Sequence, residues 1–123
     1  MRRHTQQRNI IRRIIEETDR PLSADEILSA ARRTVEGLGI ATVYRNLKNM
    51  VGEGKLTVVN LPGEPTRYEV AGKGHHHHFI CDGCDKVFEV PFCAPGLAKM
   101  TPRGFKLDRH EVVLYGRCAE CGE

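Results

Sequence analysis

Apolar positions in the first third of the chain recur at helical spacing. Ile10, Ile11, Ile14 and Ile15 form a stripe among Arg, Gln and Glu, which predicts an amphipathic helix over residues 5–18. Pro21 stops it, and Ser23-Ala-Asp-Glu26 reads as a capping box opening a second helix, with Ile27, Leu28, Ala31 and Val35 inward and Gly37 and Gly39 as its end. A third helix, Thr42 to Val51, buries Val43, Leu47, Met50 and Val51 and leaves Thr42, Tyr44, Arg45, Lys48 and Asn49 as a donor-rich outer face. After Gly52 and Gly54 the period changes from helical to alternating. Leu56–Asn60 and Thr66–Val70 then read as two strands around the turn Leu61-Pro-Gly-Glu-Pro65. Three helices and a hairpin in this order predict a winged helix-turn-helix over residues 1–70, an architecture whose third helix fits a DNA major groove.

Ala71-Gly-Lys-Gly74 is short and flexible and predicts a hinge over residues 71–74. Residues 75–123 form the second domain. It opens with the histidine run as a strand, turns at Cys81-Asp-Gly-Cys84, and returns along Lys86–Val90. Pro91 to Gly96 breaks that strand, Leu97–Met100 allows a short helix, and Phe105–Arg117 reads as one or two strands. The expected class is therefore α+β, with an N-terminal winged helix and a small α/β dimerisation domain. About 50 residues hold too little core to stand alone, so metal and a partner subunit are expected to stabilise this domain.

Composition narrows the class. The chain has 123 residues, 40% hydrophobic content, no Trp and a formal net charge of +3. Lys and Arg outnumber Asp and Glu by 12 to 9 in residues 1–70 and match them 7 to 7 in residues 71–123, so the excess is N-terminal. Arg2, Arg3, Arg8, Arg12 and Arg13 precede the first acid, Glu16, as a cationic arm able to meet phosphates. No apolar run approaches the roughly 20 residues that span a bilayer, and the start is not signal-like, so a cytoplasmic location without membrane contact is expected.

The chemistry concentrates in Gly74-His-His-His-His-Phe-Ile-Cys-Asp-Gly-Cys84. In an extended run, His76 and His78 face one way and His75 and His77 the other, so one strand feeds two separate sites. Cys81 and Cys84, with Cys118 and Cys121 after 33 intervening residues, make two C-x2-C knuckles that suit a closed tetrahedral zinc site. The fifth cysteine, Cys93, is either a small buried side chain or a further ligand. A zinc hydrolase or deaminase would need H-E-x-x-H, or H-x-E before P-C-x-x-C, and neither occurs. No enzyme activity and no small-molecule substrate are expected. A cysteine-based redox switch stays as a further alternative.

Gly39-Ile-Ala-Thr-Val-Tyr-Arg-Asn-Leu47, the run His75 to Cys84 with Val87-Phe-Glu89, and His110 leading to Leu114-Tyr-Gly-Arg-Cys118-Ala-Glu-Cys121 resemble the ferric uptake regulator superfamily over nearly the whole chain. The resemblance implies a homodimeric, metal-sensing repressor that binds a palindromic operator in double-stranded DNA. It assigns structural zinc to Cys81, Cys84, Cys118 and Cys121, a regulatory hinge site to Glu69, His76, His78 and Glu89, and a second site to His75, His77 and His110. It also assigns DNA contacts to Arg3, Tyr44 and Arg45. Two departures bear on the metal. Pro21 stands where iron-, manganese- or peroxide-responsive members often carry a histidine, which argues against an octahedral Fe2+ or Mn2+ site and for four-coordinate zinc. The segment from Glu89 to His110 is about three residues short, so the acidic ligand of the second site is either lost or replaced by Cys93. The chain is most similar to the zinc uptake regulator branch, with an iron-, manganese- or peroxide-responsive regulator, taking Fe2+ or Mn2+ at the regulatory site, as the alternative.

Overall fold

The isoleucine stripe lies on one side of α1 (Arg2–Thr18), where Ile11 and Ile15 are buried and Ile10 and Ile14 pack at the margin. A computed structural model describes residues 2–122, with side chains from residue 4 onward, so the Arg3 side chain lies outside the described residues. Two compact units divide the chain, residues 1–73 and 74–123.

In the first unit α1 starts earlier than the apolar stripe predicts. Its solvent face carries Arg12–Glu16 and Arg13–Glu17 pairs one turn apart, each worth a few tenths of a kcal/mol at most. Ser23 caps α2 (Ala24–Ala31): its hydroxyl accepts the Glu26 N–H at 3.2 Å while the Glu26 carboxylate accepts the Ser23 N–H at 3.0 Å. The same carboxylate also holds Arg20 at 2.9 Å. Contrary to the expectation that α2 runs on through Val35, it ends at Ala31. The chain then tightens into three-residue turns, with Arg33 N–H on Ala30 and Thr34 N–H on Ala31, and Arg32 reaches forward to the Leu38 carbonyl at 3.0 Å. Val35 still packs against the core.

The third helix, α3 (Ile40–Gly52), starts at Gly39 and buries Val43, Leu47 and Met50, with Val51 at the margin. Behind the helices lies a three-stranded antiparallel sheet in the order β1 (Leu22–Ser23), β3 (Arg67–Val70), β2 (Leu56–Val59). The two-residue β1 was not expected. It exists because Pro21 holds the chain extended between α1 and α2, where Leu22 pairs with Tyr68 and Ser23 with Arg67. Thirteen buried apolar residues from all these elements form one cluster.

The second unit is built on β4 (His77–Cys81), the centre of a three-stranded sheet. β5 (Val87–Val90) pairs with it antiparallel, and β6 (Val113–Gly116) pairs with it in parallel. A single 3-10 turn, Leu97–Met100, lies in the long connection. The region 105–117 thus yields one strand of four residues rather than two. Of the large apolar side chains here only Ile80 and Val87 are buried, with Cys81 and His77 beside them, while Phe92, Met100, Phe105, Leu107, Leu114 and Tyr115 are exposed. Among the described residues, no helix is long and apolar enough to cross a membrane.

Removing the hydroxyl that caps α2 tests how the first unit is held together. Ser23→Ala is expected to lower stability by about 1 kcal/mol in urea unfolding, since the Glu26 N–H loses its acceptor.

Candidate metal centres

Cys81 ends β4, and Asp85, at φ 62°, turns the chain back so that its N–H bonds the Cys81 carbonyl at 2.8 Å. This turn forms the first knuckle. The parallel pairing puts Gly116 beside Cys81, and the Asp82 N–H bonds the Gly116 carbonyl at 2.7 Å. Cys118, two residues further, is thereby delivered to the first knuckle, and its own N–H reaches Cys81 Sγ at 3.3 Å. The four sulfurs of Cys81, Cys84, Cys118 and Cys121 all lie within 4.8 Å of one another.

Charge is unevenly held within this group. Cys81 Sγ accepts N–H groups from Cys118, Gly83 and Cys84 at 3.3, 3.3 and 3.4 Å. The Cys118 amide is the main reason its pKa falls to about 6, so it is a thiolate at neutral pH. Cys121 is pushed up to about 12, first by its contact with the Cys118 sulfur and then by Cys81. Four thiolates cannot coexist at this spacing unless a cation sits among them. The donor set therefore fits a divalent, thiophilic ion such as zinc.

The histidines separate by face. His76 and His78 meet edge to face with ring centroids 5.0 Å apart, and Glu89 on β5 stands opposite His78 in the sheet. His75 and His77 meet at 4.5 Å on the other side. This division holds although β4 begins only at His77. Glu69 lies in the first unit, buried on β3 opposite Thr57.

With His75 and His77 the fold gathers His110 and Cys93. His75 Nε2 and His110 Nε2 are 3.0 Å apart, Cys93 Sγ is 3.0 Å from His110 Nε2, and His77 Nε2 is 3.3 Å from Cys93 Sγ. Register explains the convergence. The offset that pairs His78 with Val113 continues backward to pair His75 with His110, while β5 leaves the sheet beside His77 and carries Cys93 past it. Burial, then the neighbouring imidazoles with His75 first, hold the His77 pKa below the ordinary range, which favours the neutral ring that ligation requires. Its Nδ1 accepts the Val112 N–H at 3.1 Å, so ligation through Nε2 breaks that bond and His77 is the costliest of the three imidazoles to recruit.

On α3 the residues singled out for DNA are divided. Tyr44, Arg45, Lys48 and Asn49 are exposed, whereas Thr42 is half-buried and its hydroxyl accepts from Arg45 at 3.3 Å.

Sequence reasoning missed Gly83. A Cβ there would lie 2.9 Å from Cys121 Cβ and 3.0 Å from its sulfur, so only glycine lets the second knuckle close on the first. Gly83→Ala is expected to cost about 1–3 kcal/mol in thermal unfolding and to weaken zinc retention against a chelator. Gly52→Ala, where nothing lies within 4 Å, should change neither.

The family profile described as "Ferric uptake regulator family" matches residues 2–115. A ferric uptake regulation protein of Campylobacter jejuni is 32% identical over 124 residues, covering 97% of this chain and 79% of its own length. A zinc uptake regulation protein of Mycobacterium tuberculosis is 31% identical over 122 residues, covering 97% and 94%. The solved ferric uptake regulator of Helicobacter pylori, described as having three functional metal binding sites, superposes with a TM-score of 0.71 at 29% identity, over 96% of this chain and 81% of that one. With its profile matched over most of its length and curated relatives at this identity, the chain belongs to the ferric uptake regulator family of metal-responsive regulators.

Proposed function

We propose that the protein is a zinc-responsive, DNA-binding repressor that acts as a homodimer on a palindromic operator and controls metal-uptake genes. The observation that carries this reading is the opposed placement of the two histidine pairs, His76 and His78 with Glu89 on one side, His75 and His77 on the other. One strand end thus offers two donor sets of different make-up, apart from the four thiols.

Roles follow from chemistry. Cys81, Cys84, Cys118 and Cys121 are the structural zinc ligands, because a thiolate set on two knuckles is closed to exchange and stabilises a unit with almost no apolar interior. Glu69, His76, His78 and Glu89 are the regulatory ligands, mixed and exchangeable; Glu69 is included by family resemblance. Curated relatives named for ferric and for zinc uptake stand at 32% and 31% identity, so identity does not choose the metal. The donor set favours zinc over Fe2+ or Mn2+, because Pro21 contributes no nitrogen and four donors suit a tetrahedral ion.

The first unit is the reading head, a winged helix with α3 as its recognition helix. Tyr44, Arg45, Lys48 and Asn49 provide base and phosphate contacts, Thr42 braces Arg45, and Arg3 extends the cationic arm. The exposed Phe105, Leu107, Leu114 and Tyr115 of the second unit are suited to pairing with a second copy, which would set two reading heads against successive major-groove half-sites, about 34 Å apart per helical turn. Bound at the hinge ligands, zinc supplies a bias of about 5.5 kcal/mol if it is to move a population from almost all open to almost all closed.

Gel shifts on DNA selected from a random pool, run with Zn2+, Mn2+, Fe2+ and chelator, test this reading. Zinc is expected to tighten binding most, and equal affinity under all four conditions would defeat it. His76→Ala and His78→Ala should bind DNA only as tightly as metal-free protein while keeping their fold, whereas Cys81→Ser should unfold the second unit. Metal-dependent binding should weaken as the pH falls through the histidine range, because protons compete for the imidazole ligands.

A further inference from the structure

We infer that Cys93 closes a second metal site with His75, His77 and His110, and that its sulfur makes this site selective for zinc against harder cations. The inference deepens the reading above, resting on the view that these imidazoles bind metal at all.

Three independent chain segments meet at one point to form it. His75 comes from the approach to β4 and His77 from its first position, Cys93 from the loop leaving β5, and His110 from the approach to β6. All four ligand atoms lie within 4.8 Å of one another. In a tetrahedral shell with Zn–N near 2.0 Å and Zn–S near 2.3 Å, neighbouring donors stand roughly 3.3–3.6 Å apart. The three separations, 3.0, 3.0 and 3.3 Å, are only slightly tighter, so an ion entering the cluster needs small outward movements of its donors and loss of the Val112–His77 bond. Cys93 and His75 are exposed and His110 is half-buried, which leaves a path from solvent, while His77 anchors the buried side.

The donor chemistry then chooses the ion. Three imidazoles and one thiolate form a borderline-to-soft set of four, matched to zinc and poor for Mn2+ or Fe2+, which favour oxygen donors and higher coordination numbers. Cys93 is thus set apart from the four-thiol site by its partners. Its sulfur faces nitrogen on two sides, at His110 and His77.

Cadmium-113 NMR of the full-length protein separates the sites, because the resonance moves downfield with each sulfur bound. Wild-type protein loaded with 113Cd2+ should show a far-downfield signal from four thiolates and a second, intermediate signal from one sulfur with three nitrogens. Cys93→Ser should move the intermediate signal upfield or abolish it and leave the four-thiolate signal in place, which also certifies that the variant is folded. Cys93→Asp should retain an ion there and gain Mn2+ binding, read by electron paramagnetic resonance. An intermediate signal absent from wild type, or unmoved in Cys93→Ser, would overturn the assignment. Loss of both signals in both variants would overturn it too, since Cys93 would then be structural. DNA binding is not read in this experiment, so a protein that passes it and still ignores metal on DNA would refute the repressor reading alone.

Discussion

Everything in the second unit depends on four sulfurs meeting at one point. Buried apolar area gives residues 74–123 little to hold them together, because among the described residues there Ile80 and Val87 are the only large apolar side chains that are buried. The sheet itself is awkward to form. β4 and β6 are parallel neighbours separated by a long connection, so the entropy of closing it must be offset from elsewhere. A thiophilic ion shared between the two knuckles would offset it at the position where β4 and β6 end. Structural zinc contributes on the order of 10 kcal/mol in small domains, several times what the exposed sheet could supply.

That closure positions the other donors. Once Cys118 is held at Cys81, the parallel register is fixed, and the offset that joins the knuckles at one end of β4 brings His110 to His75 at the other. A slip of one residue between β4 and β6 would carry His110 away from His75 and Cys118 away from Cys81. The four-thiol cluster and the cluster of His75, His77, Cys93 and His110 are therefore coupled through one strand register. The first unit is built differently, around a continuous apolar cluster, a complete capping box and an antiparallel sheet. An apolar interior of this kind needs no metal to hold it, in keeping with the reading-head role proposed for this unit.

Much of this was legible in the sequence because it is local. The isoleucine spacing gives α1, Ser23 and Glu26 give the start of α2, and the alternation of the histidine run separates the two pairs. The C-x2-C spacing marks the thiols. What the sequence hid is pairing between distant segments. β1 is two residues long, and although Pro21 extends the chain there, its pairing with Tyr68 and Arg67 is long-range. Past the end of α2, Arg32 bonds the Leu38 carbonyl, a contact that no periodicity encodes. The parallel direction of β6 follows from where Cys118 must go, and Gly83 matters only because Cys121 packs on it. Cys93 stayed open for the same reason, since its spacing from Glu89 does not say that the chain turns back toward His77.

The most direct test of the central claim is backbone hydrogen exchange on the full chain with and without a zinc chelator. If the four thiolates hold the second unit together, stripping the ion should abolish protection along β4 and β6, while amides of α1, α2 and α3 remain protected. Unchanged protection across His77–Cys81 and Val113–Gly116 after the ion is removed would contradict the account.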